Sequence, residues 1–355
     1  MTENSPGAEP GADVVAQPSR KLKFLALETS TVCSQRCNFC PVSTQGRPKT
    51  WMSGDTLDRV IAAVAGRSLE RIYLNGFNEP TLTPNLVEIV KRLRAASPAH
   101  ITLNTNGSAL RPQLTDRLIA AGLPEFVVNL STIDPEEYAR VRGFRDVAKI
   151  VRHVGHLLAR AHEKGVAVTL LVLGNLDDRH AENVLAIERR FAHLSPKVVL
   201  CPLGEYAGDP RNTKVLHPGR LRGCGQEDRP NLWVHLAANG EALLCCHDYA
   251  QGYVVGDVNR QSLDGIFAGD RLEQLRRWIS GAEEAPADFI CRRCQLAISD
   301  RDLRPQMESL FCERCVLPAR FGKERSCGRC AVTDVIAEDE GRLARFKGLT
   351  FVAGV

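Results

Sequence analysis

The sequence predicts an α/β fold, an open partial (β/α)6 barrel followed by a small cysteine-rich domain, and three observations predict it. Six short apolar runs alternate with stretches of helical periodicity between residues 23 and 203. Glycines and polar residues gather at the C-terminal ends of most of these runs. Twelve of the 13 cysteines fall into groups at the two ends of the chain, and only Cys201 stands alone. Six strand–helix units are too few for a closed eightfold barrel but enough for an open one, whose functional rim is formed by the C-terminal ends of its strands. A chain of 355 residues can bury one large core and carry a small second domain.

The elements follow in order. KFLALETS (23–30) is a short apolar strand, and residues 55–65 have a helical pattern. The strand RIYLNG (71–76) comes next, then a helix over 83–95 with Pro84 where its missing N–H costs little. HITLNTNG (100–107) is followed by a helix over 112–121, and FVVNLST (126–132) by one helical region reaching residue 163. AVTLLVLG (167–174), a helix over 179–191 and KVVLCPL (197–203) complete the six units. Their apolar character throughout predicts parallel strands covered on both faces. In LWVHLAANGEALLCCHD (232–248), two apolar runs flank Asn239-Gly240, a strong hairpin signal, and a helical stretch over 263–279 follows.

Composition narrows the partners. The net charge is 46 − 42 = +4, spread along the chain, which makes no case for nucleic acid. No apolar run reaches membrane-spanning length, so no membrane partner is expected. Residues 1–20 are rich in Gly, Ala, Pro and Ser without an apolar segment and read as a disordered tail, not a signal peptide. Thirteen cysteines without a secretion signal predict a cytoplasmic protein whose thiols bind metal.

TVCSQRCNFCPVS (31–43) places Cys33, Cys37 and Cys40 within eight residues. A structural zinc or iron site normally takes four protein ligands, so three imply a distant fourth or a coordination position left open. Glu28 and this loop follow the first strand, and GFNEP (76–80), NTNG (104–107), NLST (129–132) and Gly174-Asn175 follow the next four. One such glycine is simply a turn. Five rim segments in register with a cysteine loop predict a bed where backbone approaches a small molecule.

CSQRCNFC resembles the CxxxCxxC loop of radical S-adenosylmethionine (radical SAM) enzymes, and the resemblance extends over about residues 21–203. GFNEP is similar to that family's GGEP segment, with Phe77 and Asn78 replacing the second Gly and its successor. Thr105, Asn106 and Gly107 match a frequent TNG segment. Ser131 falls where a strand-four residue often meets the ribose, and Phe39 takes the usual aromatic position. EEYARVRG (136–143) resembles a recurrent Y-x-x-x-R-G run. The resemblance implies a TIM-like core over residues 21–204, with Cys33, Cys37 and Cys40 holding three irons of a 4Fe-4S cube. SAM would chelate the fourth iron, with Gly76, Asn78, Glu79, Thr105, Asn106, Ser131 and Phe39 around it. One electron, from a donor such as flavodoxin or ferredoxin, would cleave SAM to methionine and a 5′-deoxyadenosyl radical.

Residues 205–300 resemble the SPASM/Twitch extension of the same enzymes, which carries an auxiliary 4Fe-4S cluster. The resemblance implies Cys224, Cys245, Cys291 and Cys294 as its ligands, with Cys246 an alternative to Cys245, a spare thiol or a hydrogen-atom donor. Cys312, Cys315, Cys327 and Cys330, in the segment 301–355, form two CxxC pairs for zinc or a further cluster. Cys201 reads as a buried core thiol. Auxiliary clusters often accept an electron from a substrate radical, so oxidation of a small polar metabolite of the sugar or aminocyclitol kind is expected. Glu205, Tyr206 or Asp209 would be its base. Arg142 is unsuited because arginine stays protonated. The alternatives are maturation or epimerisation of a ribosomal peptide, disfavoured because only about twenty residues precede the core, and a metal-binding scaffold without catalysis, disfavoured by the intact rim.

Overall fold

Six parallel strands pair in chain order: β1 (Phe24–Leu27), β2 (Arg71–Leu74), β3 (His100–Thr105), β4 (Glu125–Leu130), β5 (Ala167–Gly174) and β6 (Lys197–Pro202). This computed structural model describes residues 20–204, 206–209, 211–226 and 229–300. Right-handed crossovers between strands in sequential order put all the connecting helices on one face, as a partial barrel requires. Those helices are α1 (Gly54–Val64), α2 (Leu86–Ala96), α3 (Pro112–Ala120), α4 (Pro135–Arg142), α5 (Val147–Lys164) and α6 (Asp178–Phe191). Ser53, Asp134, Asp146 and Asp177 cap α1, α4, α5 and α6 by accepting backbone N–H groups two or three residues into each helix.

Two helices differ from the sequence reading. The helix expected from residue 83 begins at Leu86, because the 3-10 turn Pro80–Leu82 comes before it. The region expected as one helix to residue 163 is α4 and α5, parted at Gly143, whose φ of 61° lies in the left-handed region.

Strand register separates two unlike faces. Leu25, Ile72, Ile101, Phe126 and Leu170 point to the helices and are completely buried. The opposite, lumen face carries Arg71, Tyr73, Thr102, Asn104, Glu125 and Asn129. The strands are therefore not apolar on both sides, as the sequence reading expected, because no helix covers the lumen. Near its base Arg71 donates to Glu125 and, at 2.6 Å, to the Thr102 hydroxyl, while Thr102 donates to Glu125 at 2.7 Å and His100 lies 3.1 Å from it.

The back of the chain is built onto the same sheet. After β7 (Leu221–Cys224) and the short α7 (Arg229–Leu232), β8 (Trp233–Leu236) pairs in parallel with β1. The hairpin at Asn239-Gly240 returns as β9 (Glu241–Leu243), and β10 (Val254–Asp257) completes a nine-stranded sheet in the order β10-β9-β8-β1-β2-β3-β4-β5-β6. The helix expected over 263–279 is two helices, α8 (Leu263–Phe267) and α9 (Asp270–Ser280). A last strand, β11 (Ala297–Ser299), pairs with β7. Among the described residues no helix is long and apolar enough to cross a membrane.

The lumen carboxylate makes a pH-dependent contribution. Burial raises the Glu125 pKa, but the Thr102 hydroxyl and the charges of Arg71 and His100 outweigh it and hold the group below its usual 4.5. A lowered folded-state pKa stabilises above the unfolded value and is lost as pH falls through the folded one. Glu125→Gln should therefore cost about 2 kcal/mol at neutral pH, shrinking as pH falls below about 4 in denaturant titrations.

Candidate active site

The cysteine loop leaves β1 and is gripped by the C-terminus of α4. A helix end has carbonyls without internal partners, and two of them accept loop N–H groups: Arg36 donates to the Arg142 carbonyl at 3.0 Å and Asn38 to that of Val141 at 2.9 Å. Gly143 permits this approach, since a Cβ there would lie 2.9 Å from the Arg36 oxygen. Side chains reinforce the grip. Gln35 donates to the Tyr138 hydroxyl at 2.9 Å, and Arg142 lies 3.7 Å from the Cys37 sulfur. Tyr138, Arg142 and Gly143 are the named positions of the Y-x-x-x-R-G run, so its role here is to hold the loop.

The neighbouring rim is organised around Glu79, which is 1% exposed. Its carboxylate accepts the Asn106 N–H at 2.6 Å, the Thr81 N–H at 3.2 Å and the hydroxyls of Thr81 and Thr105, joining GFNEP to TNG. Asn106 reaches on to the Cys33 sulfur at 3.7 Å. Gly76 passes so close to Glu28 that a Cβ would meet Glu28 carbons at 2.8 Å. Glu28 accepts the Phe77 N–H at 3.2 Å and pairs with Arg47. Ser131 accepts from Arg142 Nε at 3.0 Å, and the Arg142 guanidinium lies 5.1 Å from the Phe39 ring centre.

Electrostatics shows what Cys33 and Cys40 need. Burial, then the charges of Glu79 and the neighbouring thiols, pushes Cys33 up to about 12. Burial and Cys37 likewise push Cys40 up to about 11, although Arg142 opposes them. Holding Cys33 and Cys40 as thiolates in this pocket requires a strong positive charge, which coordinated iron would supply. Among the described residues no three His, Cys, Asp or Glu side chains close on a single metal-ion position. A cubane instead spreads its thiolates over separate irons. Two further atoms are buried without partners: the acceptor Asn78 Oδ1 and the donor Arg142 Nη2. They complement the ammonium and carboxylate of an amino acid, so the rim fits both a 4Fe-4S cluster and SAM.

The auxiliary cysteines form a second thiol set. Cys291 is pushed well up, by burial first and then by Cys294, Cys245 and Cys224, which brings four of the expected auxiliary ligands together. Cys246 also lies near enough to act on Cys245 and Cys294, and Arg229 donates to its sulfur. A cleft between the two sets is lined by Phe39, Leu173, Cys201, Tyr206, His247 and Gln295, among others. Cys201 is buried as expected, but on the lumen face with Leu171 and Val199.

Two residues expected as bases are not suited to that role. Tyr206 is half-buried, and burial followed by the thiols Cys40, Cys246, Cys201 and Cys37 pushes its phenol far up, so it keeps its proton. Asp209 is tied to Arg211, which lowers its pKa more than burial raises it. Arg211 also donates to the Asn38 carbonyl at 2.9 Å, making the pair a brace for the cysteine loop. Glu205 and Cys312, Cys315, Cys327 and Cys330 lie outside the described residues. The sequence reading missed Arg47, His235 and His247; for His247, its place between Cys246 and Asp248 was the available signal.

A three-thiol loop at the C-terminal strand ends of a half-barrel, facing a second thiol set, defines an enzyme built around an iron–sulfur cluster with an open coordination position. The Radical SAM superfamily matches residues 27–186, and an iron-sulfur cluster-binding domain, SPASM, matches residues 224–295. The chain belongs to the Radical SAM superfamily and is a radical SAM enzyme with a SPASM-type domain, which implies SAM and 4Fe-4S clusters as its cofactors. It is 23% identical over 265 residues to the GTP 3′,8-cyclase of Rhizobium leguminosarum bv. trifolii, covering 64% of this chain and 76% of that protein. The crystal structure of BtrN in complex with AdoMet and 2-DOIA is similar with a TM-score of 0.51 at 17% identity, covering 78% of this chain and 93% of that one. Streptococcus suis SuiB bound to precursor peptide SuiA has a TM-score of 0.58 at 12% identity, covering 72% and 66%. These structural likenesses show the shared fold.

Replacing Cys33, Cys37 and Cys40 together with alanine should abolish 5′-deoxyadenosine release while iron remains at the back set. Iron and sulfide analysis should find at least about eight irons per wild-type chain and about four fewer in the triple variant. Release of 5′-deoxyadenosine by the reconstituted triple variant would exclude the front loop as the SAM site.

Proposed function

We propose that the enzyme oxidises a small polar metabolite, of the sugar or aminocyclitol kind, by two electrons. The observation that carries this reading is the placement of the cleft between the two thiol sets, with Tyr206 close enough to feel Cys37 and Cys40 from one set and Cys246 beside the other. Bound at the front loop, a reduced 4Fe-4S cluster and SAM would supply the hydrogen-abstracting chemistry at a substrate carbon.

The chain's own residues then have defined parts. Cys33, Cys37 and Cys40 hold the front cluster, and Arg142 places a positive charge beside Cys37. Gly76, Asn78 and Arg142 receive the amino-acid end of SAM, while Glu79 fixes Thr105 and Asn106 beside it. Ser131 and Phe39 complete that bed. Cys224, Cys245, Cys291 and Cys294 hold an auxiliary cluster as the electron acceptor, leaving Cys246 on Arg229. Oxidation of a hydroxyl-bearing carbon requires loss of the hydroxyl proton to a base. With Tyr206 protonated and Asp209 paired, we assign that base to Glu205. The reductant is a small electron carrier such as flavodoxin or ferredoxin, and the last two CxxC pairs hold zinc or a further cluster.

Product stoichiometry with substrate deuterated at the reacting carbon tests the reading. One deuterium should appear in 5′-deoxyadenosine per product, with one SAM consumed. Glu205→Gln should retain deuterium transfer while losing about a hundredfold or more in product, the usual scale of a general base. Deuterium returning to product with SAM regenerated would mean isomerisation. Solvent hydrogen in an inverted product would mean epimerisation, and turnover of a peptide alone would replace the substrate class.

A further inference from the structure

Pairing of β8 with β1 sets Trp233 opposite Phe24 and His235 opposite Ala26, on the lumen face. The two rings stack with centroids 5.5 Å apart and an interplanar angle of 5°. Arg229 lies 5.3 Å from the Trp233 ring centre. His247 joins the group from the auxiliary loop, near enough that Arg229 acts on both imidazoles. Trp233 Nε1, His235 Nε2 and His247 Nε2 are all buried without a hydrogen-bond partner. The three residues are only 6%, 6% and 5% exposed.

Native interiors satisfy nearly all such atoms, so three in one cluster point to a ligand. An indole nitrogen can only donate. The Ala207 N–H donates to His247 Nδ1 at 3.4 Å, which assigns the ring proton to Nε2 and makes that atom a donor as well. Elsewhere on the lumen face, Leu171, Val199 and Cys201 form an apolar patch of their own. The lumen thus has one wall with two N–H donors beside the unpartnered His235 Nε2 and another of carbon and sulfur.

We propose that Trp233, His235 and His247 form a subsite for an anionic oxygen group of the substrate, a carboxylate or a phosphate. Such a group accepts from several N–H donors at once, and Arg229 sets a positive charge beside it that a neutral hydroxyl would not use. The apolar wall is left for the carbon skeleton. This subsite rests on the reading that substrate lies between the two thiol sets, and it adds the charge that substrate carries.

Calorimetric titration of the reconstituted, SAM-bound protein with inorganic phosphate, acetate and glycerol tests the subsite. At least one anion should saturate a single site and glycerol should not. Phosphate alone would assign a phosphate, acetate alone a carboxylate. Trp233→Phe deletes little beyond the N–H and should weaken the anion about tenfold, as should His247→Phe, since bonds to charged groups are worth that much. Iron content confirms that each variant is loaded, and Arg222→Gln, on the surface, should leave affinity unchanged. Absence of a saturable anion site, or equal affinity in wild type and both variants, would overturn the subsite. So would a change in the auxiliary cluster's electron paramagnetic resonance signal with anion affinity unaltered, since the donors would then serve that cluster. 5′-Deoxyadenosine release, measured alongside, separates the two ideas: if it persists without anion binding, the subsite fails and the proposed oxidation stands.

Discussion

The rim of this half-barrel depends on one contact, the C-terminus of α4 against the cysteine loop. Two helix carbonyls hold loop N–H groups, and the arginine that closes the helix reaches the Cys37 sulfur and the Ser131 hydroxyl. A loop of eight residues carrying three thiols, one buried and two half-buried, has no regular structure of its own. Its carbonyl partners come from an element whose end has carbonyls to spare. The same arginine is nearly buried, and the charges that would balance it are thiolates and a ligand carboxylate. Fold and cofactor site are therefore stabilised by the same charge.

That coupling explains why some features are legible in the sequence and others are not. The CxxxCxxC spacing is local, and its chemistry follows from counting ligands. The strands are likewise legible as apolar runs, and Asn239-Gly240 marks its hairpin because turn geometry is written in adjacent residues. Lumen polarity is hidden, because Arg71, Thr102 and Glu125 lie on three different strands and meet only through register. The pairing of β8 with β1 spans about two hundred residues and leaves no local mark. Asp209 looked like a base in isolation. Its neutralisation by Arg211, two residues on, was within reach of the sequence, but the further bond to Asn38 was not.

The departures from the family pattern have structural reasons. Phe77 stands where the related segment has glycine, and its ring lies 5.3 Å from Tyr206 and 4.7 Å from Tyr249, both edge-on. Arg47 covers the Phe77 and Tyr249 rings at 5.9 and 5.0 Å while pairing with Glu28. A glycine could make none of these contacts. The segment implied to hold the amino-acid end of SAM is thus packed onto residues that flank the auxiliary thiols.

The two halves of the site therefore cannot be displaced independently. Moving the auxiliary loop away from the rim would expose Phe77 and strip the Arg47 guanidinium of an aromatic neighbour, besides breaking the bond from the Tyr249 hydroxyl to the Gln45 carbonyl. Aromatic and cation–π contacts of this kind are each worth about 0.5–1.5 kcal/mol when partly desolvated. Several acting together exceed thermal energy many times over. The Phe77–Tyr206–Tyr249 packing therefore holds the rim and the auxiliary loop at a constant distance, through a Phe77 side chain that a glycine at this position would lack.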